Sequence, residues 1–416
     1  MHWHTPQTRR GFTLLELLVV IGIILLLISI SVMVMGNVLR SAREQATRAT
    51  IQKVDGMLRQ RQEAFQRALE RAELQGAVAF TKGFCRQAFP SSPVPIDRDL
   101  VDRASDRTWE VLARKTYFRA KFPQSFAEVA WFDGAPGIPG SNDTTFGSNT
   151  ITDVYTSTFP HYSGVPDPQE LGAGTGNDDL EPYARLLRER FTDPTLHNPE
   201  TESSEMLYLI LTGADLFGVP PAGQDEFSSS EVRDTDNDGL QEFIDGWGRP
   251  LRFYRWPTRL LRCGEDTFTG DTDGDTNLTE PAGAAVAADP RYANLLIGSL
   301  PALTPQYELQ SGDKQLLRDP DDGFGLLEKD IINRNDGGSA TGMADARQKL
   351  ELLYHTPSTY HTVLVVSAGA DGILGLYEPV QFELAANVFG HLAQPTALGD
   401  PSASPLADNI TNRRQK

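Results

Sequence analysis

Phe12-Thr13-Leu14-Leu15-Glu16-Leu17-Leu18-Val19-Val20-Ile21-Gly22-Ile23-Ile24-Leu25-Leu26-Leu27-Ile28-Ser29-Ile30-Ser31-Val32-Met33-Val34-Met35 decides how the rest of the chain is read. These 24 residues hold one charge, Glu16, and no proline. About 20 helical residues cross a bilayer core, so the stretch is long enough to span. Arg9 and Arg10 precede it, and Met1–Gly11 contains no acidic residue. By the positive-inside rule the N-terminus stays in the cytoplasm and the remainder crosses.

An ordinary secretory signal has a shorter apolar core and a small-residue cleavage site after it. Arg9-Arg10-Gly11-Phe12 has the look of a twin-arginine signal, but here too no cleavage site follows the apolar run. Arg10-Gly11-Phe12-Thr13-Leu14-Leu15-Glu16-Leu17-Leu18-Val19-Val20-Ile21 instead resembles the N-terminal signature of type IV prepilins and type II secretion pseudopilins. That pattern is a basic leader ending in Gly, then Phe, then Glu at the fifth position after the cut. The resemblance implies cleavage after Gly11 by prepilin peptidase and N-methylation of Phe12. It also implies pairing of Glu16 with the α-amino group of a neighbouring subunit. On physical grounds a carboxylate inside an apolar helix is costly and marks a functional position. The bland alternative is a Glu16 that snorkels to the headgroups.

Working outward, the run continues as a polar but periodic helix. Ala42, Ala46, Ile51, Val54, Leu58, Phe65, Leu69 and Ala72 recur at helical spacings, predicting an amphipathic continuation to about Gln75. A helix over Leu100–Ala130 should stop before Pro123, which disfavours helix at its predecessor. A helical-hairpin insertion is expected around Arg71–Lys115, and Asp133–Asp179, rich in Gly, Pro, Ser, Thr and Asp, reads as a long loop. Tyr183–Phe191 and Ser204–Thr212 read as helices, the second largely apolar and buried. Leu251–Arg255 and Thr362–Ser367 read as strands, the second central in its sheet. Asp408-Asn409-Ile410 is suited to a short edge within a polar, partly disordered tail.

Composition bounds the rest. The 416 residues carry 38 Lys+Arg and 56 Asp+Glu, a formal net charge of −18, which argues against a nucleic-acid binder. At 39% hydrophobic there is material for a real core, and 36 Gly and 27 Pro indicate a turn-rich body. Cys85 and Cys263 exclude a disulfide framework and a Cys-based zinc finger. A single bridge between them and a pair of buried thiols both remain open. No H-E-x-x-H, G-x-S-x-G or phosphate-loop motif is present, so the chain reads as a non-enzyme.

The sharpest chemistry lies in Asp234-Thr235-Asp236-Asn237-Asp238-Gly239-Leu240-Gln241-Glu242-Phe243-Ile244-Asp245. Acids fall at positions 1, 3 and 5 with Gly at 6, Glu at 9 and Asp at 12. This is calcium-loop spacing: a hard cation needs six to eight oxygens, and Gly permits the sharp bend. The candidate ligands are Asp234, Asp236, Asp238, Leu240, Glu242 and Asp245, with a solvated acidic turn as the alternative. Asp271-Thr272-Asp273-Gly274-Asp275 is a weaker version.

Two further segments resemble major pseudopilins. Asp245-Gly246-Trp247-Gly248-Arg249-Pro250-Leu251-Arg252-Phe253-Tyr254 is similar to their D-x-W-G-x-P-x-x-Y region, and Ser367-Ala368-Gly369-Ala370-Asp371-Gly372 to their S-x-G-A-D-G turn. The resemblance implies a second calcium site held by Asp371, the carbonyl of Ala368 and Glu378. Pro379 stands where a further acid would be.

The reading is an α+β protein: a long N-terminal helix, transmembrane then amphipathic, packed on an antiparallel β-sheet head with large loop and helical insertions. Its segments are a leader (1–11), a membrane and filament-core helix (12–36), its amphipathic continuation (37–75), the head (76–398) and a polar tail (399–416). The expected role is a structural pseudopilin subunit of a type II secretion-like filament with calcium-stabilised head loops. It would be single-pass in the inner membrane, its head in the periplasm or on an extracytoplasmic filament. Expected partners are other pilin or pseudopilin subunits, prepilin peptidase, the inner-membrane assembly platform and membrane lipid, and no nucleic acid. A minor pilin or adhesin is the alternative. A membrane-anchored extracytoplasmic enzyme is the remote one.

Overall fold

A computed structural model describes residues 14–71, 74–88, 105–126, 128–129, 145–146, 149–150, 182–193, 196–257, 260, 296, 320–322, 324, 326–327, 330, 363–383, 388–396 and 405–413. The elements are mixed helix and antiparallel sheet. Helix α1 (Leu14–Arg71) runs unbroken for 58 residues, about 87 Å at 1.5 Å per residue. It ends slightly before the expected Gln75. Helix α2 (Leu74–Ala88) packs against α3 (Asp106–Lys121), the helical hairpin expected between the anchor helix and the head. Lys82 of α2 lies 5.6 Å over the Trp109 ring of α3.

Helix α3 begins where the Ser105 hydroxyl accepts from Thr108 N at 3.2 Å, satisfying an otherwise orphaned amide. It ends at Phe122, just before Pro123. Helix α4 (Pro182–Arg190) and helix α5 (Glu202–Thr212) follow. Every residue of α5 from Glu202 to Leu211 is buried, so this helix is the axis of the head.

The strands are short. β1 (Thr145–Phe146) pairs with β2 (Asn149–Thr150), and β3 (Val232–Arg233) with β4 (Glu242–Phe243). β5 (Arg252–Tyr254), β6 (Leu364–Ser367) and β9 (Ile410–Thr411) form an antiparallel sheet in the order β5-β6-β9. β7 (Phe382–Glu383) pairs with β8 (Val388–Phe389). As expected, β6 is central, and its apolar Leu364-Val365-Val366 is fully buried. Residues 405–413 are not a loose tail. Leu406, Asn409 and Ile410 are buried, and Ile410 pairs with Ser367.

The core sits between the outer half of α1, α5 and the β5-β6-β9 sheet. Ile51, Val54, Leu58, Phe65 and Leu69 of α1 join Leu207, Ile210, Phe243, Phe253, Val365 and Ile410 in one apolar cluster. Ala42 and Ala46, expected on this stripe, are exposed, and Thr47 and Thr50 are buried there instead. Arg61 is buried because its guanidinium serves the end of α5, donating to Leu211 O at 2.6 Å and Pro220 O at 3.1 Å. A buried ion cluster is centred on Glu128. Glu128 accepts from Arg255 at 2.6 Å through both oxygens and from Arg119 at 2.8 Å.

Candidate functional site

Two features stand out against this core. The first is the N-terminal half of α1. From Leu14 to Ile28 its large apolar side chains are exposed on all faces, from 48% at Val20 to 82% at Leu14. Met35, Val38 and Leu39 continue the exposure. An isolated helix apolar all round is not stable in water, so this surface requires an apolar cover. Among the described residues no helix is long and apolar enough to cross a membrane. The stretch with described side chains, Leu14–Ser29, is about 24 Å long, against a bilayer core of about 30 Å. Gly11 and Phe12 lie outside the described residues. Glu16 sits in the first turn of α1.

The outer half of α1 is fastened to the 245–254 segment, which in turn is joined to 367–372. Gly246 N donates to Thr47 Oγ1 at 2.8 Å, and a Cβ on Gly246 would meet the Arg43 carbonyl oxygen at 2.4 Å, so only glycine allows this approach. The two segments are also joined to one another. β5 pairs with β6, Ser367 Oγ donates to Asp245 Oδ2 at 2.7 Å, and Arg249 donates to Gly369 O at 3.0 Å.

Residues 7–32 match the family described as the prokaryotic N-terminal methylation motif. The chain carries a type IV pilin-like prepilin motif. That motif implies processing by prepilin peptidase, assembly with other pilin-like subunits and a membrane-anchored N-terminus. No curated protein and no solved structure matches the chain.

The second feature is a buried charged cluster around the acidic loop. The turn is built as its composition predicts. Asp234 accepts from Asn237 N at 2.6 Å and Gly239 N at 3.1 Å, while Asn237 and Gly239 both take positive φ. At Gly239 a Cβ would also strike Arg190 O at 2.3 Å, so glycine is required twice over.

The set that gathers there differs from the expected one. Asp245, expected to close a calcium loop, is buried and turned away. It accepts from Trp247 N, Arg249 N and Ser367 Oγ. Glu242 accepts from Thr235 N, and burial with the charges of Asp236 and Asp234 pushes its carboxyl up to about 8. Leu240 N donates to Asp238 Oδ1 at 2.8 Å.

What meets Asp236 and Asp238 comes from elsewhere in the chain. His197 Nδ1 lies 2.9 Å from Asp238 Oδ2, and its Nε2 lies 3.2 Å from Glu202 Oε2. The ring is held between Phe126 at 4.9 Å and Phe191 at 5.6 Å. Burial opposes a charge on His197, but its bonds to Asp238 and Glu202 outweigh this and raise it to about 10. Glu202 and Glu205 sit in the first turn of α5, where the helix dipole favours carboxylates. Burial and the Asp238 charge push Glu205 well above the usual carboxylate range. His197, Glu205, Asp236 and Asp238 each offer a ligand atom, all within 4.8 Å of one another.

Two members of the second expected calcium set, Glu378 and Asp371, have different protein partners. Glu378 holds Arg252 through both oxygens at 2.6 and 2.8 Å. Asp371 accepts from Ile373 N, while Ala370 N and Asp371 N donate to Asp408. A protein cation stands in this turn, since a Cβ on Gly372 would meet the Arg249 guanidinium at 2.2 Å. Asp271–Asp275 and Cys263 lie outside the described residues.

His197, Glu202 and Glu205 were not legible as site residues. The available signal, two glutamates three apart with a histidine five residues upstream, is weak. The apolar run alone starts the helix at Ser204, whereas α5 begins at Glu202.

Proposed function

We propose that this protein is a structural pseudopilin subunit of a type II secretion-like filament. One observation carries the reading: a methylation-type N-terminus leads into a helix bare on its first half and rooted by its second half in a folded head. The apolar half would sit in the inner membrane before assembly and against neighbouring helices afterwards, with Glu16 setting the stagger. Support for a pseudopilin over other pilin-like subunits comes from 245–254 and 367–372. Both resemble the major pseudopilin, and they form one hydrogen-bonded knot on α1.

Mass spectrometry of the N-terminal peptide, from membranes with and without prepilin peptidase, tests entry into the pathway. The expected peptide begins at N-methyl-Phe12 and disappears without the peptidase. An intact Met1 or a cut beyond residue 35 overturns it. Deleting the gene then tests the machine. Loss of secreted proteins with unchanged surface fibres supports a pseudopilin, and loss of fibres or adhesion with normal secretion supports a minor pilin or adhesin.

A further inference from the structure

The cluster at the start of α5 gathers more negative charge than the protein neutralises. Asp236, Asp238, Glu202 and Glu205 surround a single imidazole. Asp236 accepts from Asn198 N and the Thr201 hydroxyl, Asp238 from Leu240 N, and Glu202 from Phe126 N. Glu205 differs. It is 0% exposed, and neither of its carboxylate oxygens has a hydrogen-bond donor. The neighbouring Thr201 hydroxyl lies near enough to draw the Glu205 carboxyl down, but its single hydrogen is contested by Asn198 O at 2.6 Å and Asp236 Oδ2 at 2.9 Å. The nearest cationic atom is His197 Nδ1 at 3.9 Å. Kept ionised without a donor or an ion, this carboxylate would cost the full desolvation of the group, and the rise in its pKa is the response to that cost.

The imidazole is oriented as a ligand would be. Glu202 engages Nε2, which leaves Nδ1 facing Asp238 and Glu205. A carboxylate on the far nitrogen is the usual outer partner of a metal-bound histidine, because it sets the tautomer and the ring direction. A proton on Nδ1 would bridge His197 to Asp238 but would still leave Glu205 without a donor.

We propose that His197 Nδ1, Glu205, Asp236 and Asp238 form a structural site for a divalent transition-metal ion of the zinc class. One nitrogen and three carboxylate oxygens make a closed four-coordinate set. With metal–ligand bonds of about 2.0–2.2 Å, tetrahedral edges are roughly 3.3–3.6 Å. The present separations of 2.9 Å and 3.9 Å from Nδ1 bracket that range, and the four ligand atoms, all within 4.8 Å of one another, would draw together on the ion. Calcium is the poorer fit, since it takes six to eight oxygens and the His197, Glu205 and Asp238 side chains are at most 1% exposed. The ion would tie the 196–201 loop, the first turn of α5 and the 234–239 turn together, cross-linking parts of the chain about 30–40 residues apart. Binding energy at such a site is folding energy of the head.

The test uses the full chain in detergent, stripped with chelator and then titrated separately with Zn2+, Mn2+ and Ca2+. Elemental analysis and melting temperature are the readouts. The expected result is one zinc per chain and a melting temperature several degrees higher with zinc. Glu205→Gln should weaken zinc binding at least tenfold. In chelator the same variant should melt at or above the wild type, because it no longer buries an unsatisfied carboxylate. Cobalt loading of the wild type supplies an independent readout that needs no variant: four-coordinate visible absorption without thiolate bands. No zinc uptake, zinc uptake unchanged in Glu205→Gln, six-coordinate cobalt, or stabilisation by calcium alone would each overturn the proposal. The last result would return the loop to a calcium site built on Asp234 and Glu242. None of these outcomes depends on N-terminal processing.

Discussion

Between Leu14 and Ile28 the large apolar side chains of α1 are 48% to 82% exposed, whereas Ile51, Val54, Leu58, Phe65 and Leu69 on the same helix are at most 6% exposed. One continuous helix thus meets two environments. The first half is apolar around its circumference, and among the described residues nothing covers its large apolar side chains. The second half is apolar along one stripe, and that stripe is covered by β6, β9, α2 and the Phe118, Phe122 and Phe217 rings within the head's core. The difference teaches that the two halves are stabilised independently. The outer half folds with the head, and on the proposed function the inner half is covered by lipid or by the helices of other subunits.

A buried charge should expose this contrast most sharply. Val54→Asp places a carboxylate at a fully buried position and should cost at least ~4 kcal/mol of head stability. Ile24→Asp should leave head melting unchanged while releasing the protein from membranes on salt-free flotation. Equal effects of the two on head melting would show that the halves are not independent.

Acid should act next, and only on the head. Burial disfavours the Glu128 charge, yet Arg255 and Arg119 overcome it and hold the carboxyl down at about 2, below its ordinary 4.5. A depressed folded value contributes stability that is full above the ordinary value and is lost as pH falls through the folded one. The loss between pH 4.5 and 2 is roughly 3 kcal/mol. Chemical denaturation across this window should show the slope, and Glu128→Gln should flatten it. A slope retained in that variant would assign the acid sensitivity to other groups.

The smallest effect is expected at the junction of the halves. Arg40 and Glu44 form an exposed i,i+4 pair at 3.1 Å. Glu44→Ala should change head stability by no more than ~0.5 kcal/mol. A larger change would mean that the folded unit reaches further toward the N-terminus of α1 than the Arg43–Gly246 contact.

Much of the local architecture was readable before any coordinates. Pro123 ends α3, the apolar run Met206–Leu211 makes α5 a buried helix, and β-branched Val363–Val366 makes β6 the central strand. Each of these rests on neighbours within a few residues. The charged centres were not readable. Glu128 and Arg255 are 127 residues apart and His197 and Asp238 are 41 apart. Nothing in their local sequence selects those partners. Asp245 shows the limit from the other side. Its place at the twelfth position of an acidic loop suggested a ligand, but packing of β5 on β6 gave it Ser367 instead.

The amino-acid sequence by itself determined the prepilin motif, the polarity change along α1 and the acidic turn at 234–239. Charge placement, hydrophobic period and glycine conformation are properties of short windows and survive in any context. Tertiary structure alone decided that Glu205 would be buried without a donor, that His197 would turn Nδ1 toward it, and that Glu378 would serve Arg252. Those outcomes depend on which surfaces exclude water together, and that is settled only when α5, the turn and the sheet pack against the outer half of α1.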